Sequence, residues 1–149
     1  MDLENFRFGN NFQCQIIIAK DLDIHNMEIP SMIIQPFLEN AILHGLQNKF
    51  SIANENKEVF SGKIDLAFEQ NDKYVKCTIL DNGIGRAKAE EIKKNKLFGH
   101  KSMGMRITQN RLDLLSQNKC KIEFIDLTDE NGLATGTKVE ILIPVIEEF

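Results

Sequence analysis

Apolar and polar residues alternate in two short runs near the middle of the chain. In Lys63 to Gln70, Ile64, Leu66 and Phe68 oppose Lys63, Asp65 and Glu69, and Tyr74 to Leu80 alternates likewise. A period of two marks half-buried strands. With only Asn71, Asp72 and Lys73 between them, the runs predict a β-hairpin. Phe12 to Lys20 carries Phe12, Ile16, Ile17 and Ile18 and predicts another strand. Two more follow at Lys121 to Leu127 and Lys138 to Val145, joined by the polar turn Thr128 to Thr137 with Gly132 and Gly136. Helical spacing is strongest from Met103 to Gln117, where Met103, Ile107, Leu114 and Met105, Leu112, Leu115 recur. Ala87 to Lys96 reads as a short charged helix, and Leu97 to Ser102 as the loop between them. A further helix opens at Pro30 and Ser31 and runs to about His44, with Gly45 as its stop. Pro36 lies inside it and, lacking an N–H, kinks the first turns or delays regular helix to that point. Asp21 to Glu28 and Asn48 to Lys57 read as polar loops. The order is strand, helix, two strands, helix, two strands. It predicts an α+β two-layer sandwich, with a mixed, mostly antiparallel sheet and helices on one face.

At 149 residues the chain suits one domain with a real core and shows no internal repeat. Residues 1–10 read as the tail of an upstream linker and 11–149 as the domain. The formal net charge of −4 argues against general nucleic-acid binding, which favours a basic excess. A phosphate site here must use local amides, a metal or a few placed cations. No apolar run approaches the roughly 18–20 residues that span a bilayer. The start, Met1-Asp2-Leu3-Glu4-Asn5, does not resemble a signal peptide. Cys14, Cys77 and Cys120 are not spaced as metal pairs, and they read as reduced structural thiols of a cytosolic chain.

Four stretches carry candidate chemistry. The first is Gln35-Pro36-Phe37-Leu38-Glu39-Asn40-Ala41-Ile42-Leu43-His44-Gly45, which sets a carboxylate, a carboxamide and an imidazole into an apolar run. Pro36, Asn40 and His44 share one helix face, and Glu39 lies about 100° round from Asn40. A carboxamide oxygen is a hard ligand suited to Mg²⁺, which takes few protein oxygens and completes its octahedron with water and phosphates. The same residues also suit an ordinary polar helix end, with His44 at the dipole. The second is Asp81-Asn82-Gly83-Ile84-Gly85, directly after an apolar strand. Its glycines allow close approach to a ligand, and its carboxylate can accept from a buried exocyclic amine. On its own such a run is most often simply a turn. The third is Phe98-Gly99-His100-Lys101-Ser102-Met103-Gly104-Met105-Arg106, a glycine-containing loop entering a helix N-terminus that suits phosphate. The fourth is Gly136-Thr137-Lys138, where the Thr hydroxyl can donate to a purine nitrogen or cap the turn. There is no Gly-x-x-x-x-Gly-Lys-Ser/Thr motif, no kinase-type Gly-rich loop with a His-Arg-Asp segment and no Ser nucleophile elbow.

Together, in this order, the four stretches resemble the GHKL-type (Bergerat) ATP-binding fold of gyrase, the heat-shock 90 chaperones, sensor histidine kinases and the MutL repair proteins. They look most like the LytS-like branch of sensor histidine kinases, especially its Bacteroidetes-type members. That branch carries a Gln-Pro-x-x-Glu-Asn-Ala-x-x-His-Gly block, found here within Ser31 to Gly45 with Pro30 just ahead. The resemblance covers about residue 5 to the end.

It implies a role for each matching position. Asn40 matches the Asn that coordinates Mg²⁺ on the triphosphate, Glu39 its acidic neighbour with a part in orienting water or metal, and His44 a phosphate-proximal His. Asp81 matches the acceptor of the adenine amino group, with Gly83 and Gly85 beside the base and Thr137 near it. Gly104 matches a lid glycine, and Asn110 and Arg111 an Asn-Arg-Leu pattern. Gly99 and Gly104 are separated by four residues, so the lid lacks a dense glycine cluster and phosphate contacts would lean on His100, Lys101 and Ser102. The lid itself would run from Arg86 to Ser102.

The implied function is an ATP–Mg²⁺ catalytic domain that donates the γ-phosphoryl to a histidine on an upstream dimerisation segment. None of His25, His44 and His100 fits that acceptor. The expected partners are therefore that helical segment and, through the full-length kinase, a response regulator. Contact with nucleic acid or membrane is not expected, and the domain would be the cytoplasmic part of a membrane-anchored bacterial sensor. Pro36 stands four residues before Asn40, where gyrase-like ATPases keep a Glu base, which speaks against a stand-alone ATPase. The alternative from another class is a nucleotide-binding regulatory or interaction module without kinase activity.

Overall fold

The computed structural model describes residues 12–23, 29, 33–71, 73–95 and 121–145. The expected helix Met103 to Gln117, the loop before it, His25, His100, Lys101, Gly104, Asn110, Arg111 and Cys120 lie outside the described residues. Strands β1 (Phe12–Ile18), β2 (Gly62–Asn71), β3 (Tyr74–Asp81), β4 (Lys121–Thr128) and β5 (Ala134–Pro144) form one sheet in the order β1-β2-β3-β5-β4. β1 and β2 pair in parallel, and every other neighbouring pair is antiparallel. A parallel pair cannot be joined by a tight turn, and the helical segment between β1 and β2 supplies the crossover.

Side-chain parity decides what each strand buries. Along β3, Val75, Cys77, Ile79 and Asp81 are buried, and along β5, Thr137, Val139, Ile141 and Ile143 are buried. These inward rows meet Phe37, Ala41, Ile42 and Leu46 from the helical layer, with Ile64 and Leu66 from β2. Leu46, Ile64 and Ile141 are fully enclosed. Truncating such a side chain to Ala typically costs about 2–5 kcal/mol. The outward face carries ion pairs instead, Lys76 with Glu69 and Glu140, and Lys138 with Glu140. The sandwich of one helical layer on one mixed sheet agrees with the fold class expected from the sequence.

The helical layer differs from expectation in its length. α1 (Gln35–Asn40) begins one residue before Pro36, which sits in the first turn where its missing N–H costs nothing. A wide π-helical segment, Ala41–Leu46, follows without a break, and α2 (Gln47–Glu55) continues from it. Gly45 is therefore not a stop, and most of the expected loop Asn48 to Lys57 is helix. Residues Gln47 to Glu55 are mostly polar because only a narrow strip of α2 touches the core, with Ala53 buried and Phe50 packed on Phe60. α3 (Arg86–Asn95) matches the expected short charged helix to within a residue. β5 begins at Ala134, so the expected turn Thr128 to Thr137 is shorter than its composition suggests. No helix among the described residues is long and apolar enough to cross a membrane.

Candidate functional site

The inward rows of β3 and β5 end in polar residues at the same end of the sheet. Asp81 closes the row of β3, and its register partner on β5 is Thr137. Thr137 in turn faces Asp126 on β4. On the other side Asp81 faces Ile64 of β2. Strand parity thus turns the Asp81 carboxylate toward the helices rather than toward water, and it is only 5% exposed. Burial pushes its pKa up from 3.8 to about 6, against the backbone N–H groups of Gly83 and Thr137 and the Lys49 ammonium, which pull it down. Gly83 N donates to Asp81 Oδ1 at 2.8 Å.

The turn after Asp81 fits closely against the π segment. A Cβ on Gly83 would lie 2.5 Å from the Gly45 backbone, and one on Gly45 would lie 3.1 Å from Asp81 Oδ1. Ile84 N donates to the Gly45 carbonyl at 3.2 Å. Two facing glycines therefore let helix and turn touch backbone to backbone. Gly45 persists inside a helix for this reason, although glycine there costs about 1 kcal/mol relative to alanine. π segments are rare, and they occur frequently at functional sites. Beyond the turn, Lys49 Nζ donates to the Asn82 carbonyl at 2.8 Å and sits over the Phe60 ring. Asn82 accepts from Lys63 N at 2.7 Å and donates to Ser61 O at 3.0 Å, fixing the turn to the start of β2.

These elements enclose a cleft of about 440 Å³. Asn40 and His44 line it from the helical layer, Asp81, Gly85 and Thr137 from β3, the turn after it and β5, and Arg86, Phe124 and Asp126 from α3 and β4. The structure brings together Asn40, His44, Asp81, Gly85 and Thr137 from the candidate residues. Gly83 sits under the turn against Gly45. Glu39 does not join them: it is exposed on the helix and accepts from Gln35 Nε2 at 2.8 Å. That placement follows from its 100° offset from Asn40. Phe37, Phe124, Arg86, Glu90 and Asp126 also line the cleft and were not singled out from the sequence. The alternation within β4 puts Phe124 and Asp126 on one face, but only the β4–β5 register places them beside Thr137. Among the described residues no group of three or more His, Cys, Asp or Glu is placed to hold a metal.

Chemically, the cleft offers a buried carboxylate acceptor and a hydroxyl from the strands, with a carboxamide and an imidazole from the helical layer. An amine-bearing heterocycle suits the first pair, and a metal-bound phosphate chain suits the second.

No protein-family model matches the chain. It is 27% identical to the uncharacterised protein YwpD of Bacillus subtilis (strain 168) over 148 residues, 99% of this chain and 46% of that protein. It is 26% identical to the sensor histidine kinase YpdA of Escherichia coli (strain K12) over 145 residues, 95% of this chain and 22% of that protein. The chain thus spans less than half the length of these curated relatives. Among solved structures, the mycobacterial sensor histidine kinase MprB superposes with a TM-score of 0.55 at 14% identity, covering 99% of this chain and 93% of that one. A nucleotide-free catalytic domain of the histidine kinase ThkA superposes with a TM-score of 0.56 at 16% identity, covering 99% and 92%. The chain has the fold of histidine kinase catalytic domains.

Proposed function

We propose that this chain is the ATP–Mg²⁺-binding catalytic domain of a LytS-like two-component sensor histidine kinase of the Bacteroidetes type. The observation that carries the reading is the pairing of Asp81 and Thr137 on neighbouring strands, in one cleft with Asn40 and His44. Asp81 accepts from the exocyclic amine of adenine, and Thr137 meets a neighbouring ring nitrogen. Asn40 would hold Mg²⁺ through its carboxamide oxygen, with nucleotide phosphates supplying further ligands. This fits a donor set without a carboxylate cluster among the described residues. The bound ion would neutralise charge on the β- and γ-phosphates. His44 donates to a phosphate oxygen. His100, Lys101 and Gly104 would close over the phosphates from the lid.

The reaction is phosphoryl transfer. The bond from the γ-phosphorus to the β–γ bridging oxygen breaks, a bond from that phosphorus to an imidazole nitrogen forms, and ADP leaves with the electron pair. Catalysis by this domain is positioning and charge neutralisation. Glu39, exposed and paired with Gln35, takes no direct part in this scheme. Residues 11–149 would form the domain and 1–10 the linker from a dimerising helical segment that carries the acceptor His. A response regulator would take the phosphoryl next, and the domain would work in the cytoplasm.

Titration calorimetry with Mg-ATP tests the reading. Wild type binds, GTP binds more weakly, and Asp81→Asn and Asn40→Asp lose binding. Wild type failing to bind adenine nucleotide would overturn it. Incubation with γ-labelled ATP and the acceptor-bearing segment then separates a kinase from a binding module: the kinase labels the segment, whereas the module binds nucleotide and leaves it unlabelled.

A further inference from the structure

The turn that leaves Asp81 crosses the end of β5 before it enters α3. Gly136 lies against it, so close that a Cβ there would overlap the Asp81 carbonyl oxygen. Gly85, at φ +84°, lies against Ala134, 2.9 Å from where its own Cβ would stand. The next residue, Arg86, reaches β4. Its Nε donates to Asp126 Oδ1 at 2.9 Å and its Nη2 to Asp126 Oδ2 at 3.0 Å. The same guanidinium lies 5.0 Å from the centre of the Phe124 ring, and Phe124 packs on Phe37 of α1 at 6.2 Å between ring centres. The path is closed: Asp81, the turn, Arg86, Asp126, and back through Thr137 to Asp81 by strand register.

This fork sits where an exposed ion pair contributes little to folding, since both side chains are about half exposed. Its geometry is nevertheless the two-bond, planar arrangement that fixes orientation, and stacking on an aromatic face fixes it further. All four side chains, Phe37, Arg86, Phe124 and Asp126, line the cleft that holds Asp81 and Thr137. Such a brace has more to act on in the cleft than in the stability of the sheet.

We propose that Arg86 and Asp126 form a positioning pair for the nucleobase subsite, clamping the Asp81 turn across β5 onto β4 and setting the side wall against which an adenine-type base is held. The inference rests on the nucleotide-binding reading above and adds residues to it. Arg86 acts through the turn and the wall, so its loss falls on the base end of the ligand and not on the phosphate end. The start of α3 is accordingly a fixed part of the pocket and not the moving part of the lid.

The test measures binding of Mg-ATP and of inorganic triphosphate with Mg²⁺ to wild type, Arg86→Ala, Asp126→Asn and the double variant, with melting curves for each. The single variants weaken Mg-ATP about tenfold and triphosphate less than about twofold, and the double variant is no weaker than the worse single one. Arg86→Lys recovers only part of the loss, because an ammonium cannot make the planar fork. Equal weakening of both ligands, additive single effects, or unchanged Mg-ATP binding in the variants would each overturn the clamp while leaving the nucleotide reading in place. Wild type that binds no Mg-ATP would overturn both.

Discussion

Asp81 and Glu140 are carboxylates on neighbouring strands of one sheet, and the face each occupies gives it opposite chemistry. Glu140 faces outward, accepts from Lys138 at 2.9 Å and Lys76 at 3.3 Å, and is held below its usual pKa chiefly by those hydrogen bonds. Asp81 faces inward, where the Lys49 ammonium pulls its pKa down, and is nevertheless pushed up to about 6 chiefly by burial. The first arrangement satisfies a charge with side chains of its own surface. The second keeps a charge short of compensation beside an open cleft. A carboxylate held that way costs the folded domain stability, and under the proposed function a donor on the ligand offsets that cost.

The sharpest way to break the comparison is Asp81→Asn. The amide presents a donor where adenine needs an acceptor, so Mg-ATP affinity falls by roughly 10–100-fold in calorimetry. The empty domain moves the other way and gains stability of the order of 2 kcal/mol at pH 7, read from chemical denaturation, because the buried charge is gone. No substitution of Glu140 should produce that opposition.

Gly83→Ala attacks the setting of Asp81 and leaves its charge alone. The added Cβ meets the Gly45 backbone at 2.5 Å, and neither partner can swing aside. The expected cost is roughly 3 kcal/mol of stability, with weaker nucleotide binding, measured by denaturation and calorimetry. This contact also marks what the sequence could not reveal. The hairpin, the place of Asp81 at the end of an apolar strand and the shared face of Asn40 and His44 were legible, because periods of two and 3.6 are local. Gly45 was not, since glycine after an apolar helix is ordinarily a stop. Its reason for staying in the helix lies some forty residues away, at Asp81 and Gly83. Arg86 and Asp126 were hidden the same way: forty residues separate them, and only the strand order brings them together.

A pH series sharpens the contrast through its sign. The Asp81 pKa is raised on folding, so the folded state binds the extra proton between about pH 4 and 6. Stability from this group therefore rises as pH falls through about 6, by an amount of the order of 2 kcal/mol, while nucleotide binding weakens. Glu140 is depressed on folding, and its contribution is present above its ordinary value of 4.5 and lost as pH falls below it. Denaturation midpoints of wild type and Asp81→Asn should converge toward pH 4 and separate toward pH 7. Parallel curves would mean that Asp81 carries no excess cost.

Glu140→Gln is the smallest and most discriminating change. Its two lysines reach water, so an outward pair contributes only about 0–1 kcal/mol, and less in high salt. Gln keeps an acceptor for one lysine and the shape of the side chain. The expected loss is a few tenths of a kcal/mol at pH 7, vanishing in 1 M salt, with Mg-ATP affinity unchanged within twofold. A loss as large as that of Gly83→Ala, or a change in nucleotide affinity, would show that the outward charges are coupled through β5 to Thr137. In that case the two faces would not be independent, and the position of Asp81 at the end of an inward row would be insufficient to explain its chemistry.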